Sequence, residues 1–175
     1  MMKIAIGADH RGVELKSKIK KLLKSKKIEV QDFGTQDTSS CDYPDFGFKV
    51  AQEVASGNFD RGILICNSGI GMSIVANKVK GIRAALCINE KLAEYSRQHN
   101  DTNILVLAAE FVTEELVTKI IDIWLNTKFE GDRHQRRLDK INSYEGGWVE
   151  KEQWQRDIKH WQQEARKWQS RAWRR

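Results

Sequence analysis

Short apolar runs alternate with amphipathic stretches along the first 145 residues of the chain. The runs have the length and β-branched composition of strands, and the amphipathic stretches repeat their apolar residues at helical spacing. Strands are predicted at 3–8, 28–33, 63–65, 82–88 and 104–107, and helices at 13–25, 46–56, from the turn after 66 to about 79, 90–98 and 113–126, with a short helix after 131. This alternation predicts a doubly wound, Rossmann-like α/β fold, a three-layer sandwich around a mainly parallel five-stranded sheet.

The pattern changes at Gly146-Gly147, which divides the chain into a domain of residues 1–145 and a tail of residues 146–175. Five of the six tryptophans lie in the tail, and their spacing predicts an a/d seam on a C-terminal amphipathic helix over about 149–173. The seam consists of Trp154, Ile158, Trp161, Ala165, Trp168 and Ala172. We expect this helix to pack on a partner helix or on the domain. A membrane-surface helix, an RNA-binding segment and an appended engineered segment are the alternatives.

Charge and cysteine content narrow the class of protein. The formal net charge is +6, but the tail holds eight Lys/Arg against four Asp/Glu, so the first 145 residues carry only +2. This near balance argues against a nucleic-acid-binding domain, and no apolar run approaches the roughly 20 residues of a membrane span. Three cysteines without close pairing are typical of reduced thiols. Because the first residues enter a strand pattern directly, we expect a cytoplasmic protein without a signal peptide.

The predicted strand at 63–65 ends at a thiol and a glycine-containing turn. Cys66 stands at its carboxyl end, and residues 67–71 lead into a helix. Ligands bind at strand ends of open parallel sheets, and the amides at a helix start favour a thiolate or a bound oxyanion. Cys66 is therefore a candidate nucleophile or base, or else a small buried hydrophobic residue. Because Ile74 occupies the third glycine position, the turn is not a dinucleotide fingerprint, and it lacks the Lys-Ser/Thr pair of a P-loop.

Three further clusters of polar residues are candidates for a catalytic or ligand-binding site. Asp9-His10 follows the first strand, where the pair either transfers protons or caps the next helix. His99-Asn100 ends a predicted helix, a position that suits a cation even without a function. The segment 131–137 holds a basic cluster, which either binds phosphate or is a solvated run of charge. The histidines and cysteines lack the spacing of a metal site, so metal binding is disfavoured.

Six motifs, taken together, resemble one enzyme family. In chain order they are Gly7-Ala8-Asp9-His10, Asp42-Tyr43-Pro44-Asp45, Cys66-Asn67-Ser68-Gly69-Ile70-Gly71-Met72-Ser73, Gly81-Ile82-Arg83-Ala84-Ala85, Arg97-Gln98-His99-Asn100-Asp101-Thr102-Asn103 and Gly131-Asp132-Arg133-His134. Their order and spacing resemble the family that comprises ribose-5-phosphate isomerase B and the bacterial galactose-6-phosphate isomerase subunits. The resemblance covers about residues 2–145 and does not extend into the tail.

The resemblance implies an aldose–ketose isomerase that interconverts ribose 5-phosphate and ribulose 5-phosphate, in the pentose phosphate pathway, without a metal or organic cofactor. Cys66 is expected to move a proton between C1 and C2 through an enediolate. Ser68 is expected to contact the substrate hydroxyls, and Asp9 and His99 to assist ring opening. These four residues are the predicted catalytic group.

The resemblance also implies two groups of binding residues. The residues expected to bind the oxyanion and the sugar are Asn67, Gly69, Ile70, Gly71, Tyr43 and Asn100. The residues expected to hold the phosphate are His10, Arg133 and Arg137. Remote binding of the phosphate would position the reacting carbons.

The expected partners are a small sugar phosphate and a second copy of the chain. The resemblance implies a homodimer, often paired into a tetramer, with the site between subunits; the tail is expected to serve further helix–helix assembly. No nucleic acid or membrane is expected to bind the main domain. Asn67 stands where the family commonly has glycine, and Ser68 where it commonly has threonine. A hexose 6-phosphate isomerase, for allose 6-phosphate or galactose 6-phosphate, and a non-catalytic sugar-phosphate-binding or assembly protein are therefore the alternatives.

Overall fold

The computed structural model describes residues 1–145, 162–163 and 166. The strands are β1 (Lys3–Ala8), β2 (Glu29–Asp32), β3 (Arg61–Cys66), β4 (Ala84–Leu86) and β5 (Ile104–Ala108). The helices are α1 (Val13–Ser25), α2 (Tyr43–Ala55), α3 (Ile70–Ala76), α4 (Glu90–Asn100), α5 (Glu114–Asn126) and α6 (Asp132–Glu145). Packing divides the chain into two compact units, Met1–Gln135 and Arg136–Arg175. Within the described ranges, no helix combines the length and the apolar character needed to cross a membrane.

The five strands form one parallel sheet in the order β2-β1-β3-β5-β4, which confirms the predicted fold class. β1 pairs with β2 on one side and with β3 on the other, so the chain winds outwards in opposite directions from the β1–β3 pair. Such a switch point leaves a crevice at the carboxyl ends of the two strands. In this sheet the crevice lies directly after Ala8 and Cys66.

Each strand contributes to two hydrophobic layers, because successive side chains point to opposite faces of a sheet. Ile63 and Ile65 join the core that α1, α4 and α5 cover, which also contains the fully buried Trp124. Leu64 and Cys66 join the core that α2 and α3 cover. Helices thus lie on both faces of the sheet, and the thiol of Cys66 belongs to the α2–α3 layer.

Several element bounds differ from the predicted ones for local reasons. α2 begins at Tyr43 and not at 46, because Pro44 falls in the first helical turn, where its missing N–H is not needed. α4 runs beyond 98 to Asn100 and ends where Asp101 adopts a left-handed conformation with φ of 43°. β4 has only three residues. The predicted tail helix over 149–173 falls almost wholly outside the described residues, and the predicted division after 145 stays a prediction.

Candidate active site

The thiol of Cys66 lies at the switch point beside Asp9. Cys66 is the last residue of β3 and is only 5% exposed. The Asp9 amide donates a hydrogen bond to the Ile65 carbonyl at 3.4 Å, which extends the pairing of β1 with β3 to the end of β3. The Asp9 side chain is itself buried, and its Oδ1 accepts the Arg11 amide at 3.0 Å. A thiol and a carboxylate thus occupy the crevice as neighbouring, largely buried groups.

A tight turn places the start of α3 directly after the thiol. Gly69 has φ of 74°, and a Cβ there would lie 2.3 Å from the Leu86 side chain, so the turn requires glycine. The half-buried Ser68 accepts the Ile70 amide on its Oγ at 3.4 Å. Amides in the first turn of a helix project from its N-terminus. Residues 67–71 can therefore stabilise negative charge close to Cys66.

Asn67, the first residue of the turn, is tied to the chain that follows β5. Its Nδ2 donates to Glu110 Oε2 at 2.5 Å, and the Glu110 amide donates to the Asn67 carbonyl at 3.1 Å. Both side chains are exposed. The carboxamide is thus held at the surface and anchors the turn.

Two residues from the region around the start of α2 complete this side of the crevice. The Tyr43 ring packs on Gly71, where a Cβ would lie 2.7 Å from a ring carbon. The Cys41 amide donates to His10 Nδ1 at 3.3 Å, and the Cys41 Sγ lies 3.7 Å from the same nitrogen. Because Nδ1 accepts from the backbone, Nε2 is the imidazole nitrogen left to donate to a ligand.

A buried ion pair supports the loop beside the crevice. Lys16, which is 1% exposed, lies with its Nζ 2.9 Å from Asp32 Oδ1 and also donates to the Thr35 carbonyl. Partial burial acts to raise the pKa of the Asp32 carboxyl, but hydrogen bonds from Lys20 and Lys16 together lower that pKa below its ordinary value. The Thr35 amide donates to the carbonyl of the last β1 residue at 3.1 Å. The ion pair therefore holds this loop against the end of β1.

His99, Asn100 and Arg133 lie at the opposite edge of the sheet. α4 runs from the carboxyl edge back to the amino edge, where its last turn carries His99 and Asn100. The turn is fixed by Asp101, whose carboxylate lies 2.8 Å from Arg97 and 2.9 Å from Arg83. The segment before α6 docks on the same turn, since the Glu130 amide donates to the carbonyl of residue 98 at 3.0 Å.

His99 is the middle ring in a stack of three aromatic rings. Its ring centroid lies 4.7 Å from that of Tyr95 and 4.4 Å from that of His134, with only 6° between the two imidazole planes. His134 is 4% exposed. Its Nε2 accepts the Arg133 Nε at 3.2 Å and lies 3.5 Å from Glu130 Oε2. His99 is therefore held in one orientation, with a guanidinium and a carboxylate next to its stacking partner.

One chain does not bring the two predicted halves of the site together. Asp9, His10, Tyr43 and residues 66–71 lie at the carboxyl edge, whereas His99, Asn100 and Arg133 lie at the amino edge. Gly62 pairs with Ile104 and Cys66 with Ala108, so the length of a strand, roughly 15 Å, separates the edges. Arg137 belongs to the second compact unit, and its role stays a prediction.

Three residues of these clusters escaped the sequence prediction. Lys16 shares the spacing of the buried Ile19 and Leu23, a signal that an apolar helix face contains a lysine. Glu130 lies four residues before His134 of the predicted basic cluster, and this i,i+4 spacing of neighbouring side chains was available in the sequence. Glu110 gave no local signal, because its contact with the turn spans 43 residues of chain.

The chain is similar to proteins of one family over most of its length. The family model described as Ribose/Galactose Isomerase matches residues 4–141. Ribose-5-phosphate isomerase B of Escherichia coli K12 is 47% identical over 145 residues, which cover 83% of this chain and 97% of that protein.

Solved structures of relatives have the same fold. The ribose-5-phosphate isomerase B of Clostridium thermocellum is 53% identical with a TM-score of 0.82, covering 83% of this chain and 98% of that one. The enzyme of the same name from Mycoplasma genitalium, solved with bound ribulose-5-phosphate, is 47% identical with a TM-score of 0.80 and covers 83% of this chain and 97% of that one.

Proposed function

We propose that this chain, which belongs to the Ribose/Galactose Isomerase family and is an isomerase, interconverts D-ribose 5-phosphate and D-ribulose 5-phosphate. The observation that carries the proposal is the buried Cys66 thiol at the switch point, beside Asp9 and directly before α3. The relatives support the substrate, because one bears the name ribose-5-phosphate isomerase B and another was solved with ribulose-5-phosphate bound.

In the proposed reaction Cys66 acts as the base. As a thiolate it takes the proton from C2 of the open-chain aldose; the C2 electrons form the C1–C2 double bond, and O1 becomes the oxyanion of an enediolate. The amides of residues 67–71 stabilise that oxyanion. The Cys66 thiol then returns its proton to C1, the O2 hydroxyl proton passes to O1, and C2 becomes the ketose carbonyl. Ser68 contacts the substrate hydroxyls through this sequence.

Other residues open the sugar ring and hold the substrate. Asp9 and His99 serve as general acid and base for ring opening. Tyr43 and Asn100 line the sugar site. The phosphate-binding residues are His10, Arg133 and Arg137; His10 is supported by the accepting role of its Nδ1, which leaves Nε2 to donate.

We place the complete site between two copies of the chain. The opposite-edge positions of Cys66 and His99 support this, because a second copy can bring its amino edge to the carboxyl edge of the first. Large apolar side chains are exposed next to the crevice, with Ile70 at 58%, Ile74 at 55% and Phe111 at 64% exposure. Such a surface is typical of a protein interface. The free thiols of all three cysteines support a protein that works in a reducing cytoplasm.

Turnover of ribose 5-phosphate without added metal tests the proposed function. Cys66→Ala is expected to lose about 10²- to 10⁴-fold in kcat, because it removes the base. Cys87→Ala is the matched control, since Cys87 is a second buried cysteine outside the proposed site, and it is expected to keep wild-type kcat. Normal turnover by Cys66→Ala contradicts the mechanism. If the wild type converts only a hexose 6-phosphate, the pentose assignment is wrong; binding of sugar phosphates without any turnover favours the assembly alternative.

A further inference from the structure

The amino edge of the sheet holds a set of metal-ligating side chains. Among the residues that the structure describes, His99, Glu130 and His134 have one potential ligand atom each, all within 4.8 Å of one another. Zinc bonds of about 2.1 Å in tetrahedral geometry place neighbouring ligand atoms about 3.4 Å apart. The separation of 3.5 Å between His134 Nε2 and Glu130 Oε2 matches that value. The longer separations involve His99, which must approach by up to about 1.4 Å and turn out of its parallel stack on His134, because two imidazoles bind one ion only when their in-plane lone pairs converge.

The fold brings the three side chains close together, and the cluster is reachable from solvent. His134 is buried and stacks on His99 with 6° between the rings. The Glu130 amide donates the hydrogen bond that ties its segment to the end of α4. The Glu130 side chain is 44% exposed and His99 is half-buried, so an ion can enter from that side. Rotation of the half-buried His99 side chain is the rearrangement that forms a three-ligand site.

We propose that His99, Glu130 and His134 bind a divalent transition metal ion, Zn²⁺ in particular, and that the bound ion inhibits the isomerase. Two imidazoles and one carboxylate, with a fourth position for water, are a common zinc ligand set, whereas Mg²⁺ and Ca²⁺ prefer oxygen ligands alone. The metal removes His99 from acid–base chemistry by taking the lone pair that the reaction uses. Binding of the ion is independent of the proposed function, and only the inhibition rests on it.

Arg133 competes with the metal for His134. Its Nε lies 3.2 Å from His134 Nε2, so it donates to the lone pair that the metal needs. The guanidinium also repels a cation at this distance. Zn²⁺ binding therefore displaces Arg133, a proposed phosphate ligand, and the inhibition is competitive with the sugar phosphate. Removal of this guanidinium strengthens metal binding.

Zn²⁺ binding by the full chain, measured by competition with a chromophoric chelator after metal removal, tests the site. We expect one high-affinity Zn²⁺ per chain, at least about tenfold weaker binding by Glu130→Gln and His134→Gln, and about tenfold tighter binding by Arg133→Ala. His160→Gln is the matched control, because it removes the tail histidine, and its affinity is expected to equal that of the wild type. If Glu130→Gln and His134→Gln bind Zn²⁺ as tightly as the wild type, the site is wrong.

A second measurement tests the inhibition. Zn²⁺ is expected to raise the KM for ribose 5-phosphate in the wild type, a chelator to reverse this, and Glu130→Gln to keep the basal kcat while losing at least about tenfold in Zn²⁺ sensitivity. Tight binding that leaves turnover unchanged overturns the inhibitory role. Absence of turnover in the metal-free wild type contradicts the proposed function instead, and leaves the binding result to decide the site.

Discussion

At the scale of single residues, the two core cysteines lie in different parts of the fold. Cys66 ends a strand at the crevice, whereas Cys87 is fully buried in the α1–α4–α5 layer. Burial raises the pKa of the Cys87 thiol to about 11 from its ordinary 9.0, although a hydrogen bond with Ser96 opposes the shift. Cys87 therefore stays protonated in the folded protein at a pH where the unfolded chain ionises.

The Cys87 thiol is expected to make folding stability fall at alkaline pH. Because its folded pKa is raised, its stabilisation is complete below pH 9.0 and is lost as the pH rises towards about 11. The loss approaches about 2 to 3 kcal/mol. Urea unfolding at pH 8 and pH 10.5 measures it: Cys87→Ala should lose less stability than the wild type between these values, and Cys41→Ala, a half-buried control, should match the wild type. Parallel declines in all three proteins contradict this.

At the scale of elements, the Lys16–Asp32 pair fixes α1, β2 and the following loop together. Asp32→Asn is expected to destabilise the protein by about 3–5 kcal/mol, because it leaves the ammonium of the buried Lys16 without its counter-charge. Lys20→Ala is the control: this lysine, 30% exposed, also pairs with Asp32, and its loss should cost under about 1 kcal/mol. The free energy of unfolding in urea measures both, and equal costs contradict the buried pair's role.

The Lys16–Asp32 pair also makes the free energy of unfolding depend on pH under acidic conditions. Because the folded pKa of Asp32 is lowered, its contribution to stability is present above its ordinary pKa of 3.8 and is lost as the pH falls. The unfolding free energy of Asp32→Asn should therefore depend less on pH than that of the wild type below about pH 4. Identical acid profiles would show that the Asp32 carboxylate contributes no net stability.

The helices and strands themselves were largely predictable from sequence, whereas the long-range contacts between them were not. β1 and α1 have the predicted bounds, because apolar spacing is a local property. The end of α4 near His99 and Asn100 was also predicted, but the ion pair of Asp101 with Arg83, which helps to fix that end, forms only in the fold. The sequence likewise could not place His99 at the edge opposite Cys66, since that follows from the order of strands in the sheet.

At the scale of the whole molecule, residues 1–145 are expected to suffice for catalysis. The family match ends at 141, and the proposed catalytic residues all precede it. A chain that ends at Glu145 should keep the wild-type kcat for ribose 5-phosphate, and sedimentation should report any change as one of assembly alone. Loss of turnover with an unchanged oligomer contradicts this division of roles.

Complementation between two inactive variants tests most directly whether Cys66 and His99 of different copies act on one substrate. Cys66→Ala and His99→Asn, each impaired alone, are unfolded and refolded together at equal amounts. Half of the dimers then contain both variants, and each of these has one intact site of two, so the mixture should regain about one quarter of the wild-type ribose 5-phosphate turnover. Activity that remains at the average of the two separate variants, although mixed dimers form, contradicts a site shared between copies.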